Sequence, residues 1–370
     1  MGTAGVRRHN LALVLREVTA GEPVSRATVA ARTGLTRGTV SSLVEELLDG
    51  GLVTELAAAR GGTGRPANPL QLNRSGPAGL GVEIGVDHVG ACVLDLTGAV
   101  RGIRTAPSDH RDRPPAVGLR RAAALAREVI AGSGLTVVGA TVALPGVVGP
   151  GGELQRAPNL SHWIDVAVGG ELSGLLDDLP VDTGNEADLA ALAELWFGGG
   201  SPDVLYVSGE IGVGGAIVLG GELFRGAGGR AGELGHVVVD PDGPDCSCGG
   251  RGCLEQAAGQ EALLRAAGAL DAEDLVARRA EPTPAQAISA AGRALGVALA
   301  GAVNLLDVPA IVLGGLYARL GDPLREAVVA ELRTRVLTSP SVDVRCSALG
   351  PDAALRGAAM SVVRARLRNP

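Results

Sequence analysis

The chain contains no lysine, so arginine supplies every one of its 33 cationic side chains. GC-rich coding yields such a bias, and no function follows from it. Aromatic residues are scarce at 2% of the chain, and no apolar run reaches the roughly 20 residues that cross a bilayer. The N-terminal stretch MGTAGVRRHNLALVLREVTAGEPV has an apolar period but neither a long apolar core nor a small-residue cleavage site, so it reads as a helix and not as a signal peptide. The expectation is a soluble, cytoplasmic protein without a membrane partner. Cysteines number five, an odd count that suits no disulfide framework, and Cys246, Cys248 and Cys253 fall within eight residues of one another. What is abundant is apolar content, 46% of 370 residues against 20% charged, which is the composition of a folded chain of two or three domains and not of a disordered one.

The net charge of -7 conceals an asymmetry. Residues 1–76 hold nine Arg against six acids, a balance of +3, which leaves -10 for the remainder. A modestly basic head on an acidic body argues against membrane or nonspecific nucleic-acid binding by the whole chain but permits the head to meet phosphate. Leu11, Val14, Leu15 and Val18 form one helical stripe that ends at Gly21-Glu22-Pro23. A second helix opens at Ser25 and stops at Gly34; a third opens at Thr36, turns Val40, Leu43, Val44 and Leu47 inward, and closes at Asp49-Gly50-Gly51. Two short helices across a short Gly turn predict a helix-turn-helix, with Arg37, Gly38, Thr39, Ser41 and Ser42 on the outer face of the helix that enters the major groove. The strands LVTEL and LQLN flank a Gly/Arg/Pro loop, a wing that carries Arg60 and Arg65 to phosphate or minor groove. The expected DNA contacts are therefore Arg37, Thr39, Ser41, Ser42, Arg60 and Arg65; a plain three-helix packing with a hairpin remains the alternative.

Gly/Pro punctuation at Asn73-Arg74-Ser75-Gly76-Pro77 marks a linker, giving a DNA-binding domain at 1–76 and a second domain at 77–370. The latter opens with three β-rich runs, a helical stretch from Pro115 to Ala131 and a strand from Val137 to Leu144. A similar glycine-rich hairpin starts at Asp203, which implies a duplicated α/β architecture with a cleft between its halves, the usual place for a ligand. Downstream, His236, Cys246, Cys248 and Cys253 supply one nitrogen and three sulfurs, the soft tetrahedral set of a closed, structural zinc site. The lone Cys92 and Cys346 lie in apolar strand-like runs and are expected in the core.

The segment from about 80 to 365 resembles the ROK family of repressors and sugar kinases. The resemblance rests on GAGGRAGELGH from Gly226 to His236 and on C-x-C-G-x-x-G-C-x-E from Cys246 to Glu255. It implies an α/β fold in which the winged helix-turn-helix precedes a duplicated actin-like, ribonuclease-H-like sugar-kinase fold of two lobes, with a zinc loop at 236–255. It also implies a sugar shell. Asn159 of Pro158-Asn159-Leu160-x-x-Trp163 reaches a hydroxyl, Asn185 and Glu186 match the motif that holds the kinase base, and Glu233, His236 and Glu255 complete the contacts. Each also has an ordinary role open to it: Asn159 can cap a turn, Trp163 can be core, and Glu255, Asn185 and Glu186 begin helices.

Three departures from the kinase pattern imply a sensor without kinase activity. The first phosphate loop reads Glu83-Ile84-Gly85-Val86-Asp87 and the second Ser208-Gly209-Glu210-Ile211-Gly212, which place two acids beside the phosphates. Glu186 stands at the base position, where Asp is the family's residue; its extra methylene moves the carboxylate by about 1 Å, a misplacement that can cost about a hundredfold. The resulting expectation is a sugar-responsive transcriptional regulator, most simply a repressor, that binds operator DNA as a homodimer or tetramer and carries structural zinc. An active ATP-dependent sugar kinase, and a regulator answering to a protein partner, stay open as alternatives.

Overall fold

The computed structural model describes residues 3–57, 68–337 and 342–370; Arg60 and Arg65 lie outside the described residues. In the head, α1 (Thr3–Thr19) is followed by α2 (Arg26–Thr33) and α3 (Arg37–Asp49). Ser25 and Thr36 cap the last two by accepting hydrogen bonds from the N–H groups of Thr28 and Thr39, and Gly34 ends α2 in the left-handed conformation. The apolar stripes meet in one core, with Val14, Val29, Val40 and Val44 wholly buried; each such side chain contributes about 1.5–3 kcal/mol. Strands β1 (Val53–Glu55) and β2 (Leu70–Leu72) pair antiparallel as the base of the wing.

The body holds two five-stranded sheets of the same order. In the first, β3 (Ala78–Ile84), β4 (His88–Leu94) and β5 (Val100–Pro107) form an antiparallel meander. Helix α4 (Pro115–Ser133) crosses over to β6 (Val137–Leu144), which lies parallel to β3. A small sheet of β7 (Val147–Val148), β8 (Leu154–Arg156) and β9 (Ile164–Val166) comes next, then α5 (Val168–Leu175) and β10 (Val181–Asn185), parallel to β6. After α6 (Glu186–Phe197) the second sheet repeats the plan with β11 (Val204–Gly209), β12 (Val213–Leu219) and β13 (Glu222–Leu223) as the meander. Helices α7 (Glu255–Ala258), α8 (Gln260–Ala267), α9 (Ala272–Ala277) and α10 (Pro282–Leu306) then lead to β14 (Ala310–Gly314), which pairs parallel to β11. The chain continues through α11 (Gly315–Leu320) and α12 (Asp322–Arg335) to β15 (Asp343–Cys346) and ends in α13 (Ala353–Arg368). The duplication expected from the two hairpins is thus present strand for strand. Helix α10 is long and apolar enough to cross a membrane by length and composition, but Ile288, Ala291, Leu295 and Leu299 are buried in the second lobe against α12.

Two expectations need correction. The stretch 73–77 is a fixed turn and not a free linker: the Asn73 side chain donates to Gly51 O at 3.1 Å and accepts from Ser75 N–H at 3.0 Å. A side chain at Gly76 would overlap the Gly51 carbonyl oxygen. Head and body share a core in which Leu11, Leu47 and Leu70 pack with Leu94 and Leu96 of the first lobe and with Leu355, Ala359 and Val363 of α13. The same helix turns Ala354 and Ala358 toward Ala187, Leu189 and Ala190 of α6. Second, Cys92 is fully buried as expected, but Cys346 is only half-buried, because β15 is the edge strand of its sheet.

Candidate functional site

The cleft between the lobes is lined by loops at the carboxyl ends of the central strands, where α/β sheets habitually bind ligands. All six residues expected in the sugar shell, Asn159, Asn185, Glu186, Glu233, His236 and Glu255, line it. They arrive from four segments: the loop before β9, the start of α6, the single turn at Leu234–His236, and the start of α7. Glu255 is anchored within the second lobe by the N–H of Val213, at the start of β12, at 3.2 Å. Asn185 has little left to offer a ligand. Its carbonyl caps α6 by accepting from Ala187 and Asp188 N–H, and its amide donates to Gly146 O at 2.8 Å, so it positions Glu186. Trp163 is absent from the lining. It is fully buried beneath the Asn159 loop, its ring tilted against His110, because the large apolar ring fills the first lobe's core.

The other end of the cleft is acidic. Glu83, Asp87, Glu186 and Glu210 surround His88, whose Nδ1 lies 3.0 Å from Asp87 and whose Nε2 lies 3.4 Å from Glu83. Burial opposes a charge on His88, yet the hydrogen bonds and charges of Asp87 and Glu83 outweigh it and push the imidazole up to about 11. Burial, with Glu83 and Glu210 nearby, pushes Glu186 up to about 8; burial, with Glu83 foremost among its neighbours, pushes Glu210 up to about 7. Asp188, two residues further along in the first turn of α6, is pushed up to about 6 by burial in spite of Arg225. No arginine lines the cleft among the described residues. Asp87 and Glu210, the acids expected in the two phosphate loops, thus line the cleft, and Glu83 and His88 join them. His88 has no signature of its own in the sequence; only its place directly after Asp87 pointed to it.

His236, Cys246, Cys248 and Cys253 come together as one cluster, with their donor atoms all within 4.8 Å of one another. Cys248 Sγ lies 3.7 Å from Cys253 Sγ, and Cys246 Sγ lies 3.9 Å from His236 Nδ1. Tetrahedral zinc with bonds of about 2.3 Å to sulfur sets its ligand atoms roughly 3.8 Å apart, so the cluster fits a metal ion. Nδ1 faces the thiols while Nε2 faces Glu233 at 3.9 Å, which lets one imidazole serve both the metal cluster and the cleft wall.

In the head, Arg37 and Ser42 are exposed on α3, Ser41 is half-buried, and the Thr39 hydroxyl is shared with the cap residue Thr36 at 2.8 Å. Two of the three acids in the C-terminal half of α3 are paired, Glu46 with Arg7 and Glu45 with Arg26, both at 2.7 Å. The first turn of α3 carries no acid and Arg37 forms no ion pair among the described residues, so that end of the helix presents net positive potential.

The ROK family profile matches residues 79–365 and a MarR family profile matches residues 12–62. The xylose repressor of Bacillus subtilis (strain 168) is 27% identical over 371 residues, covering 97% of this chain and 96% of that protein. The kanosamine kinase of Amycolatopsis mediterranei (strain S699) is 32% identical over 296 residues, covering 76% of this chain and 95% of its own. A crystal structure of a ROK family transcriptional regulator, a homologue of the E. coli MLC protein, superposes with a TM-score of 0.81 at 26% identity and covers 98% of this chain and 97% of that one. The kinase matches the body alone, whereas the repressor and the regulator extend through the winged head. With its duplicated lobes and its His/Cys cluster beside the cleft, this chain belongs to the ROK family.

Proposed function

We propose that this protein is a sugar-responsive transcriptional repressor without useful kinase activity, acting in the cytoplasm on operator DNA. The observation that carries the reading is the joining, in one chain, of a winged helix-turn-helix to a sugar-kinase cleft whose phosphate end holds four carboxylates around one histidine. An incoming polyphosphate there meets Asp87, already paired to His88, and Glu210, still partly ionised with its carboxyl at about 7, and no arginine lines the cleft to offset the like charge, which disfavours its entry. A sugar has partners at the other end: Asn159, Glu233, His236 and Glu255 offer acceptors and donors to hydroxyls. The His/Cys cluster holds structural zinc, which leaves no open position for chemistry and stiffens the segment that carries His236 and Glu255.

The switch follows from the packing. Sugar at the start of α6 draws the lobes together; α6 bears on α13, and α13 bears on the head. In a homodimer, or a tetramer built from such pairs, this changes the separation of the two recognition helices, and a palindromic operator with half-sites about 10 or 20 bp apart is released. A coupling of about 1–3 kcal/mol between the sites suffices. The test is a thermal-shift panel of monosaccharides, amino sugars, sugar phosphates and ATP, followed by titration of an operator selected from random duplexes. A shift with one sugar, none with ATP, and operator release by that sugar are expected. ATP-dependent consumption of a sugar would overturn the reading in favour of a kinase; indifference to every sugar, with release by a protein from extract, would replace it with control by a partner.

A further inference from the structure

Away from the cleft, a second concavity of about 320 Å³ opens where α6, α13 and the β12–β13 turn meet. Its charge is opposite to that of the cleft. Arg225, Arg364 and Arg368 line it, with Glu222 as the one acid. Arg364 and Arg368 lie one turn apart on the same helix, an i,i+4 pair of like charges that is unfavourable in itself. Their surroundings offer little compensation: Glu222 reaches Arg368 only at 3.8 Å, with both side chains largely exposed, and Arg364 forms no ion pair among the described residues. Arg364 is held in place by Trp196, its guanidinium carbon 4.9 Å from the ring centre, and its Nε–H is buried without an acceptor. A guanidinium kept rigid on an aromatic face, partly stripped of water and short of acceptors, is prepared for an oxyanion. Arg225 reaches the same space from the other side while lying 3.4 Å from Asp188 on the first turn of α6.

We infer that this pocket is a second ligand site, which takes a small phosphate-bearing molecule between Arg364, Arg368 and Arg225. Phosphate supplies the geometry that several guanidinium forks satisfy together, and the acidic cleft cannot compete for it. Because Arg225 is shared with Asp188, occupancy is felt at the start of α6, beside the effector cleft.

The test uses the full-length protein at low salt and titrates inorganic phosphate and, separately, glucose 6-phosphate by calorimetry. Saturable binding is expected for at least one of them; binding of inorganic phosphate alone identifies the free ion as the ligand, and stronger binding of the ester identifies a phosphorylated metabolite. Arg364→Gln and Arg368→Gln should each weaken that binding by about tenfold or more, since each removes one charge-assisted contact. Arg368 is 64% exposed, so its variant keeps the test available if Arg364→Gln fails to fold. Absence of saturable binding by the wild type, or equal affinity in wild type and both variants, would overturn the inference. Weakened operator binding in the variants with unchanged phosphate titration would also overturn it and assign these arginines to the DNA backbone.

Discussion

Gly357 lies within α13 where that helix crosses α6, and replacing it by alanine sets two known effects against each other. Helix propensity favours Ala over Gly by about 0.8–1 kcal/mol in a helix interior. Packing opposes the change. A Cβ at this position would stand 2.6 Å from the carbonyl carbon of Leu189 and closer still to its oxygen. Carbon atoms rest roughly 3.5–4.0 Å apart, so the helices must separate by about 1 Å, and the obstacle is backbone that has no other rotamer to adopt. Overpacking of this sort costs about 1–3 kcal/mol, here at the upper end, which leaves a net loss of about 2 kcal/mol. With about 2.1 cal/mol/K per residue, a cooperative transition of 370 residues has an unfolding entropy of roughly 0.8 kcal/mol/K, and the melting temperature should fall by about 2–3 °C. The assay is a thermal melt of Gly357→Ala beside wild type, read by circular dichroism, together with operator titration with and without sugar. Because α13 also carries the head, the response to sugar should shift with the stability. A melting temperature raised by about 1 °C would mean that propensity alone governs the site and that the α6–α13 contact is looser than described.

Other outcomes can be checked more briefly. Purified protein should contain one zinc per chain; Cys248→Ser or strong chelation should remove it and lower the melting temperature, and a metal-free wild type that melts unchanged would dismiss the site. Glu186 and Glu210 hold protons in the folded state between their ordinary value near 4.5 and about 8 and about 7 respectively, protons that the unfolded chain releases. Their contribution to stability therefore falls as pH rises through that window. His88, raised from 6.5 to about 11, contributes fully below about pH 6.5 and loses its contribution toward pH 11. Glu186→Gln with Glu210→Gln should flatten the decline in melting temperature between pH 5 and 8, and an unaltered slope would contradict the assignment. Arg37→Ala should weaken operator binding and reduce the magnitude of its log–log salt slope by about 1; an unchanged slope would remove Arg37 from the phosphate contacts.

What the sequence made legible was local. Ser25 and Thr36 announce helix starts because a cap acts within three residues, and the spacing of Cys246, Cys248 and Cys253 is a property of one loop. The repeated hairpins revealed the duplicated lobes for the same reason. The docking of the head was hidden: Leu355 and Val363 share one apolar cluster with Leu11 and Leu47 across some three hundred residues of chain, and an apolar helix face does not say which surface will cover it. The Gly/Pro composition at 73–77 looked like a linker because turn residues serve flexible and rigid connections alike. Within the site, identity was easier to read than role. Asn185 was expected in the sugar shell and lines the cleft, but its amide and carbonyl are committed to Gly146 and to the α6 cap. Trp163 was carried along with Asn159 by a shared motif, yet burial, which spacing does not encode, separates ring from amide.

The sharing of α13 between body and head makes it a lever. Its 16 residues span roughly 24 Å, and it is clamped along one side by α6 and along another by β3, β4 and β6, while α1 of the head also touches it. A tilt of about 5° about one end moves the other by roughly 2 Å over that length. Hydrogen bonds to DNA tolerate a stretch of only a few tenths of an ångström beyond about 3 Å, so so small a rotation suffices to break register with the bases. Had the head hung on a slack tether, the same rotation would have been absorbed by the connection. The stiffness of the junction therefore sets how much of a motion in the cleft survives to reach the operator.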